Sequence, residues 1–91
     1  MEILMNELKV RKLLMQLLNL NSLDMIESTD DLRIVGLDSL NCIELVIEIE
    51  KAFQIVIPDE KLGIRYMHSI YDICKLIEEV INDEQLQTIS I

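Results

Sequence analysis

The sequence predicts an all-α fold: a four-helix bundle with three longer helices, one short third helix and a long first loop. Three observations carry that expectation. Apolar residues make up 51 % of the chain, yet with no Trp, one Phe and two Tyr the core must be aliphatic. Two Gly and one Pro give too little punctuation for a many-turned β fold. Apolar residues also recur at helical spacing near both ends and in the middle of the chain. At 91 residues the chain is read as one domain, 1–91, near the lower end of what buries a self-sufficient core.

The first helix is expected over about 2–18, with Ile3, Val10, Leu14, Leu17 and Leu18 on one face and Glu7 and Arg11 interrupting it. Residues 19–38 hold no clear period and carry turn formers from Asn19 to Asp31. Leu23, Ile26, Leu32 and Leu37 scattered through them imply a loop packed across the bundle, and connections this long tend to be functional. A second helix is expected over 39–53, with Asp38 able to accept from its first-turn amides. Gln54–Ile57 is short and β-branched, and Pro58 pushes Ile57 toward extended geometry. Pro58, Asp59 and Glu60 read as the start of a short third helix, about 59–65, limited by Gly63. The last helix, about 70–82, opens on Ser69 and Asp72 at capping-box spacing. Ile70, Ile73, Cys74, Ile77, Val80 and Ile81 form its apolar face, and a polar, frayed tail is expected beyond Asn82.

Charge excludes whole classes of partner. Eight basic against seventeen acidic side chains give a net charge of −9, which disfavours nucleic acid and anionic membrane alike. Residues 13–60 hold ten acids and two bases, so a basic partner should read the middle of the chain. Cys42 and Cys74 match no metal or redox spacing and read as free buried thiols. No apolar run approaches the roughly 20 residues of a membrane span. The N-terminus carries Glu2 and Glu7 and lacks a small-residue cleavage site, so a cytoplasmic monomer is expected.

The informative segment is Gly36-Leu37-Asp38-Ser39-Leu40, which sets a serine hydroxyl in the first turn of a helix at an exposed junction. Helix N-termini offer unpaired amides and partial positive charge, so a phosphodiester on Ser39 would be stabilised there. Taken alone, these five residues favour a plain helix cap, because capping Asp and Ser are common. They continue, however, as Glu44-Leu45, Glu50-Lys51-Ala52-Phe53 and Ile57-Pro58-Asp59-Glu60. Together these motifs closely resemble the acyl carrier protein family and its relatives in polyketide and nonribosomal peptide synthesis. The likeness is strong from Leu32 to about Leu62 and extends to the whole chain as four helices with a long first loop.

The resemblance implies that Ser39 bears a covalent 4′-phosphopantetheine arm, moved from coenzyme A by a separate transferase using Mg²⁺. Asp38 would be the motif acid beside it, helping to hold metal and phosphate during transfer. The arm's thiol would carry acyl intermediates of a fatty-acid, polyketide or related specialised pathway as thioesters. The partners implied are the phosphopantetheinyl transferase and acyl-loading and acyl-processing enzymes with basic docking patches. The protein itself would catalyse nothing. An active-site serine needs a base and an orienting partner, and the single histidine, His68, reads as a surface loop residue. The Gly-x-Ser-x-Gly elbow is missing, and Leu37 breaks the Gly-Asp-Ser-Leu esterase string. The alternative is an unmodified acidic helical interaction module.

A helical wheel separates two apolar stripes on the second helix. Cys42, Leu45, Val46, Ile49, Ala52 and Phe53 share the core arc, while Leu40, Ile43 and Ile47 lie roughly opposite, flanked by Glu44 and Glu50. A single-faced helix has no second stripe. Either loop 19–38 covers it or it docks partners; the docking reading is taken. Asn41 and Lys51 stand where fatty-acid carriers often have acids, and Gly63–Met67 lengthens the region of the third helix. These departures from the family pattern point to a discrete carrier in a specialised pathway.

Overall fold

Helix α1 spans Glu2–Leu17. Val10 and Leu14 of its apolar face are fully buried, and Leu17 and Leu18 are partly covered. The computed structural model describes the backbone of residues 2–89 and the side chains of residues 5–83, so the side chain of Ile3 lies outside the described residues. The helix stops where Asn19 enters the left-handed region at φ 56° and the Leu20 N–H reaches back to the Met15 carbonyl at 2.9 Å. That bond is a Schellman ending, with Asn in the position usually held by Gly. What reads as a flaw in the amphipathic pattern is a tether. Arg11 Nε donates to Glu7 Oε2 at 3.1 Å, and its Nη1 donates to the Leu23 carbonyl at 2.9 Å.

The long first loop is pinned by that tether and by two more. The Leu32 N–H donates to the His68 carbonyl at 2.7 Å, and the Tyr71 N–H to the Ser28 carbonyl at 2.8 Å. Leu23, Leu32 and Leu37 are buried in the common core, which orders the loop although it lacks a period. One 3₁₀ turn, Leu32–Val35, forms inside it. Its cap, Asp31, is gripped by Arg33 at 2.6 Å, and the hydrogen bonds from the guanidinium lower the Asp31 pKa to about 2.

Helix α2 spans Ser39–Phe53 and buries Cys42, Leu45, Val46 and Ile49. Ala52, expected in that core arc, is exposed, and Phe53 is partly covered. The arc drifts out of the core there because α2 is ending: Gln54 turns left-handed at φ 55°. The extended stretch that follows then alternates, with Ile55 and Ile57 buried and Val56 exposed.

The expected short third α-helix over 59–65 does not form as one. Two 3₁₀ turns, Asp59–Lys61 and Ile64–Tyr66, stand in its place. Between them Leu62 is extended and Gly63 sits at φ 126° and ψ 159°. Side-chain-bearing residues avoid that region, and it cannot propagate a helix. Helix α3 then spans Ile70–Ile89, running past the expected end at Asn82; Ser90 and Ile91 lie outside the described residues. Ser69 Oγ accepts from the Asp72 N–H at 3.1 Å, but the reciprocal half of the capping box is replaced. The Asp72 carboxylate instead lies 3.4 Å from His68 Nε2. Among the described residues the fold is thus all-helical, with three α-helices around one aliphatic core. No helix among them is long and apolar enough to cross a membrane.

Candidate functional site

The chain enters α2 through a tightly bonded corner. Gly36, at φ 111°, closes the preceding 3₁₀ turn in a conformation that favours glycine. Leu37 then drops into the core, only 2 % exposed. Asp38 is extended, and its Oδ1 accepts from the Leu40 and Asn41 amides, each at 2.9 Å. Asn41 answers twice. Its Oδ1 accepts from the Asp38 N–H at 2.8 Å, and its Nδ2 donates to the Gly36 carbonyl at 2.9 Å. A capping box clamped to the turn before it therefore fixes the residue in its middle, Ser39, in space.

Ser39 is exposed, and its hydroxyl has no hydrogen-bond partner among the described residues. The sequence pattern offered unpaired first-turn amides to an attached phosphate. Two of them, those of Leu40 and Asn41, are already taken by Asp38. What remains for a phosphate is the Ser39 N–H, unbonded among the described residues, and the partial positive charge of the helix end. Asp38 Oδ2 accepts no hydrogen bond from the described residues and remains available as an anionic ligand.

Beside Ser39 runs a groove of about 320 Å³ between α2 and residues 56–63. Buried Cys42, Val46 and Ile57 lie at its base, and exposed Ile43, Ile47, Val56 and Leu62 form its sides. Leu40, Ile43 and Ile47 are 78 %, 61 % and 46 % exposed, so the long loop does not cover that stripe. Glu44 is exposed next to it, as is Glu48. Glu50 is half-buried and lines the groove, and its Oε2 accepts the Ile57 N–H at 2.8 Å. That carboxylate fastens the far side of the groove to α2. Burial, with Asp38 nearby, pushes the Cys42 thiol up. Its Sγ lies 4.0 Å from Met67 Sδ, a buried packing contact.

Sequence reasoning missed three residues here. Asn41 looked like a lost acid, although the Asp-x-x-Asn spacing is a capping-box signal with Asn as the returning side chain. Val56 was marked only by β-branched alternation with its neighbours. Leu62 carried no local signal, because the broken turn that exposes it is tertiary. His68, read as a loop histidine, pairs with Asp72 and does not line the groove.

A family model described as the phosphopantetheine attachment site matches residues 8–77, a span that takes in the clamped corner, α2 and the groove. No curated protein matches the chain.

Proposed function

The chain belongs to the phosphopantetheine attachment site family, and we propose that it is an acyl carrier whose arm is carried by Ser39. The observation that supports this most is a free, exposed hydroxyl held rigid by the Asp38–Asn41 box at the mouth of an apolar groove. The residues present fit a phosphodiester-linked group: the hydroxyl has no competing partner, Asp38 keeps one oxygen unbonded, and the helix end favours the phosphate. In the attachment reaction Ser39 Oγ attacks the β-phosphorus of coenzyme A, forming a P–O bond as the pyrophosphate bridge breaks. Adenosine 3′,5′-bisphosphate leaves, and the Ser39 proton passes to a base on the transferase. Asp38, with one carboxylate oxygen unbonded, would help to hold the Mg²⁺, which would neutralise the phosphates during transfer.

Once attached, the arm supplies a thiol that holds an acyl cargo as a thioester. This chain's own residues position and shelter that cargo. The groove starts at Ser39 and has an apolar lining, so an alkyl chain folded back along α2 leaves water at Ile43, Ile47 and Val56. The same stripe, Leu40, Ile43 and Ile47 with Glu44 and Glu50, docks the loading and processing enzymes through basic patches. His68, the single histidine, does not line the groove beside Ser39, which supports reading the domain as a carrier and not a catalyst. The pathway is a fatty-acid, polyketide or related specialised one, and two free buried thiols suit a reducing cytoplasm. An unmodified interaction module would share the helices but not the modification. Incubation with coenzyme A, Mg²⁺ and a broad-specificity transferase should raise the intact mass by one phosphopantetheine unit, and Ser39→Ala should abolish the gain. An unchanged mass with an active transferase, or a gain that survives Ser39→Ala, overturns the assignment.

A further inference from the structure

The segment 59–66 has two sides. Asp59, Leu62 and Gly63 line the groove beside Ser39, while Lys61, Arg65 and Tyr66 line a second cavity of about 230 Å³ against α3. Lys75 stands across it, so three of the chain's eight Lys and Arg gather at one place in a molecule of net charge −9. Lys61 Nζ lies 5.9 Å and the Arg65 guanidinium 5.7 Å from the centroid of the Tyr66 ring. The ring's negative face attracts both cations and so keeps two like charges close.

Asp72 and Glu79 line the same cavity, so its three cations face two carboxylates and a net charge of +1 remains. Glu79 Oε2 is 3.8 Å from Lys61 Nζ, and the Asp72 carboxylate is turned to His68. Among the described residues neither Arg65 nor Lys75 has an ion-pair partner, and both are exposed. The other exposed cations without an ion-pair partner among the described residues, Lys9, Lys12 and Lys51, line neither cavity.

We propose that this cavity is a second docking site that receives a carboxylate side chain from an acidic segment of a partner protein, with Arg65 and Lys75 as the receiving charges. A carboxylate fits better than a phosphate, because Asp72 and Glu79 at the rim repel a dianion more than a single negative charge. An anionic bilayer is disfavoured by the net charge of the whole domain. Tyr66, 40 % exposed, gives the methylenes of a Glu side chain an apolar surface to lie on. The site does not involve Ser39. Because it shares segment 59–66 with the groove, a partner held here is positioned beside the cargo region. The carrier would then present opposite charges on the two sides of one connector, acidic toward α2 and cationic toward α3.

The test is an amide chemical-shift titration of the ¹⁵N-labelled full chain, carrying Ser39→Ala, with a twelve-residue peptide built around a Glu-Glu pair at low salt. Saturable shifts are expected at residues 61–66 and 72–79, fading as salt is raised. Arg65→Gln and Lys75→Gln should each weaken binding about threefold, and the double variant should bind more weakly than either, without strict additivity because both face one carboxylate. Lys51→Gln, an exposed cation on α2, should leave binding unchanged. Retained spectral dispersion in each variant establishes that it is folded. No saturable shift, shifts centred on α2, or a double variant that binds equally well overturns the proposal. Equal or tighter occupancy by inorganic phosphate, or by phosphatidylserine vesicles, overturns it too.

Discussion

Ile47 and Ile49 offer the sharpest comparison, because truncating each to Ala removes the same atoms from the same helix two residues apart. Ile49 is 0 % exposed and Ile47 46 % exposed. Ile49→Ala leaves an enclosed void in the core and should cost about 2–5 kcal/mol. Ile47 has nearly half its surface already in water and borders an open groove, so no closed cavity forms. Full burial of such a side chain is worth about 1.5–3 kcal/mol, and the part lost on truncating Ile47 comes to about 1 kcal/mol or less. For a domain of this size 1 kcal/mol moves Tm by about 4–8 °C, so a difference of about 1–4 kcal/mol should separate the two variants by roughly 4–30 °C. Urea denaturation followed by circular dichroism, with unchanged m-values, gives the stability of each. The functional assay should run the other way. Ile47→Ala is expected to stay folded while kcat/KM for modification or acyl transfer by a cognate enzyme falls about fivefold or more, as for a central contact of an interface. Equal destabilisation of the two variants would mean that the stripe is core. Unaltered transfer by Ile47→Ala would mean that no partner reads it.

Asn41→Ala removes two of the four hydrogen bonds that clamp the corner at Ser39 and should cost about 1–2 kcal/mol, measured by urea melts alongside a slower modification rate. Asn41→Asp keeps the acceptor for the Asp38 N–H but loses the donor to Gly36, and an intermediate cost is expected. Cys74 sets an alkaline limit: burial, with Glu7 and Glu78 nearby, raises its thiol from 9.0 to about 11. Above pH 9 the unfolded chain gives up that proton while the folded chain keeps it. Stability is therefore full below pH 9 and falls as pH rises toward 11. The loss is on the order of 2 kcal/mol, and Cys74→Ala should flatten the decline in denaturation curves taken across that range.

The core of α2 and α3 was legible because burial imprints a 3.6-residue period directly on the chain, as Leu45, Ile49, Ile73 and Ile77 illustrate. The serine at the junction was legible for a similar reason, since Asp38 beside it caps amides within one turn. Glu7 and Arg11 were visible only as exceptions to a pattern. Their purpose depends on Leu23, twelve residues beyond Arg11, and no local period encodes that contact.

The sequence by itself determined an all-helical chain, the place of Ser39 at a helix start, and two apolar stripes on α2. Each of these follows from propensity, capping and periodicity over a few residues. Only the tertiary structure decided that the outer stripe stays open, that Glu50 fastens Ile57, and that Asn41 grips Gly36. It also split the expected third helix at Gly63 and brought Lys61, Arg65 and Lys75 to one cavity. Exposure and charge clustering are properties of surfaces assembled from segments far apart in sequence. They come into being only when the loop is stitched to α1 and α3 and the chain closes on its core.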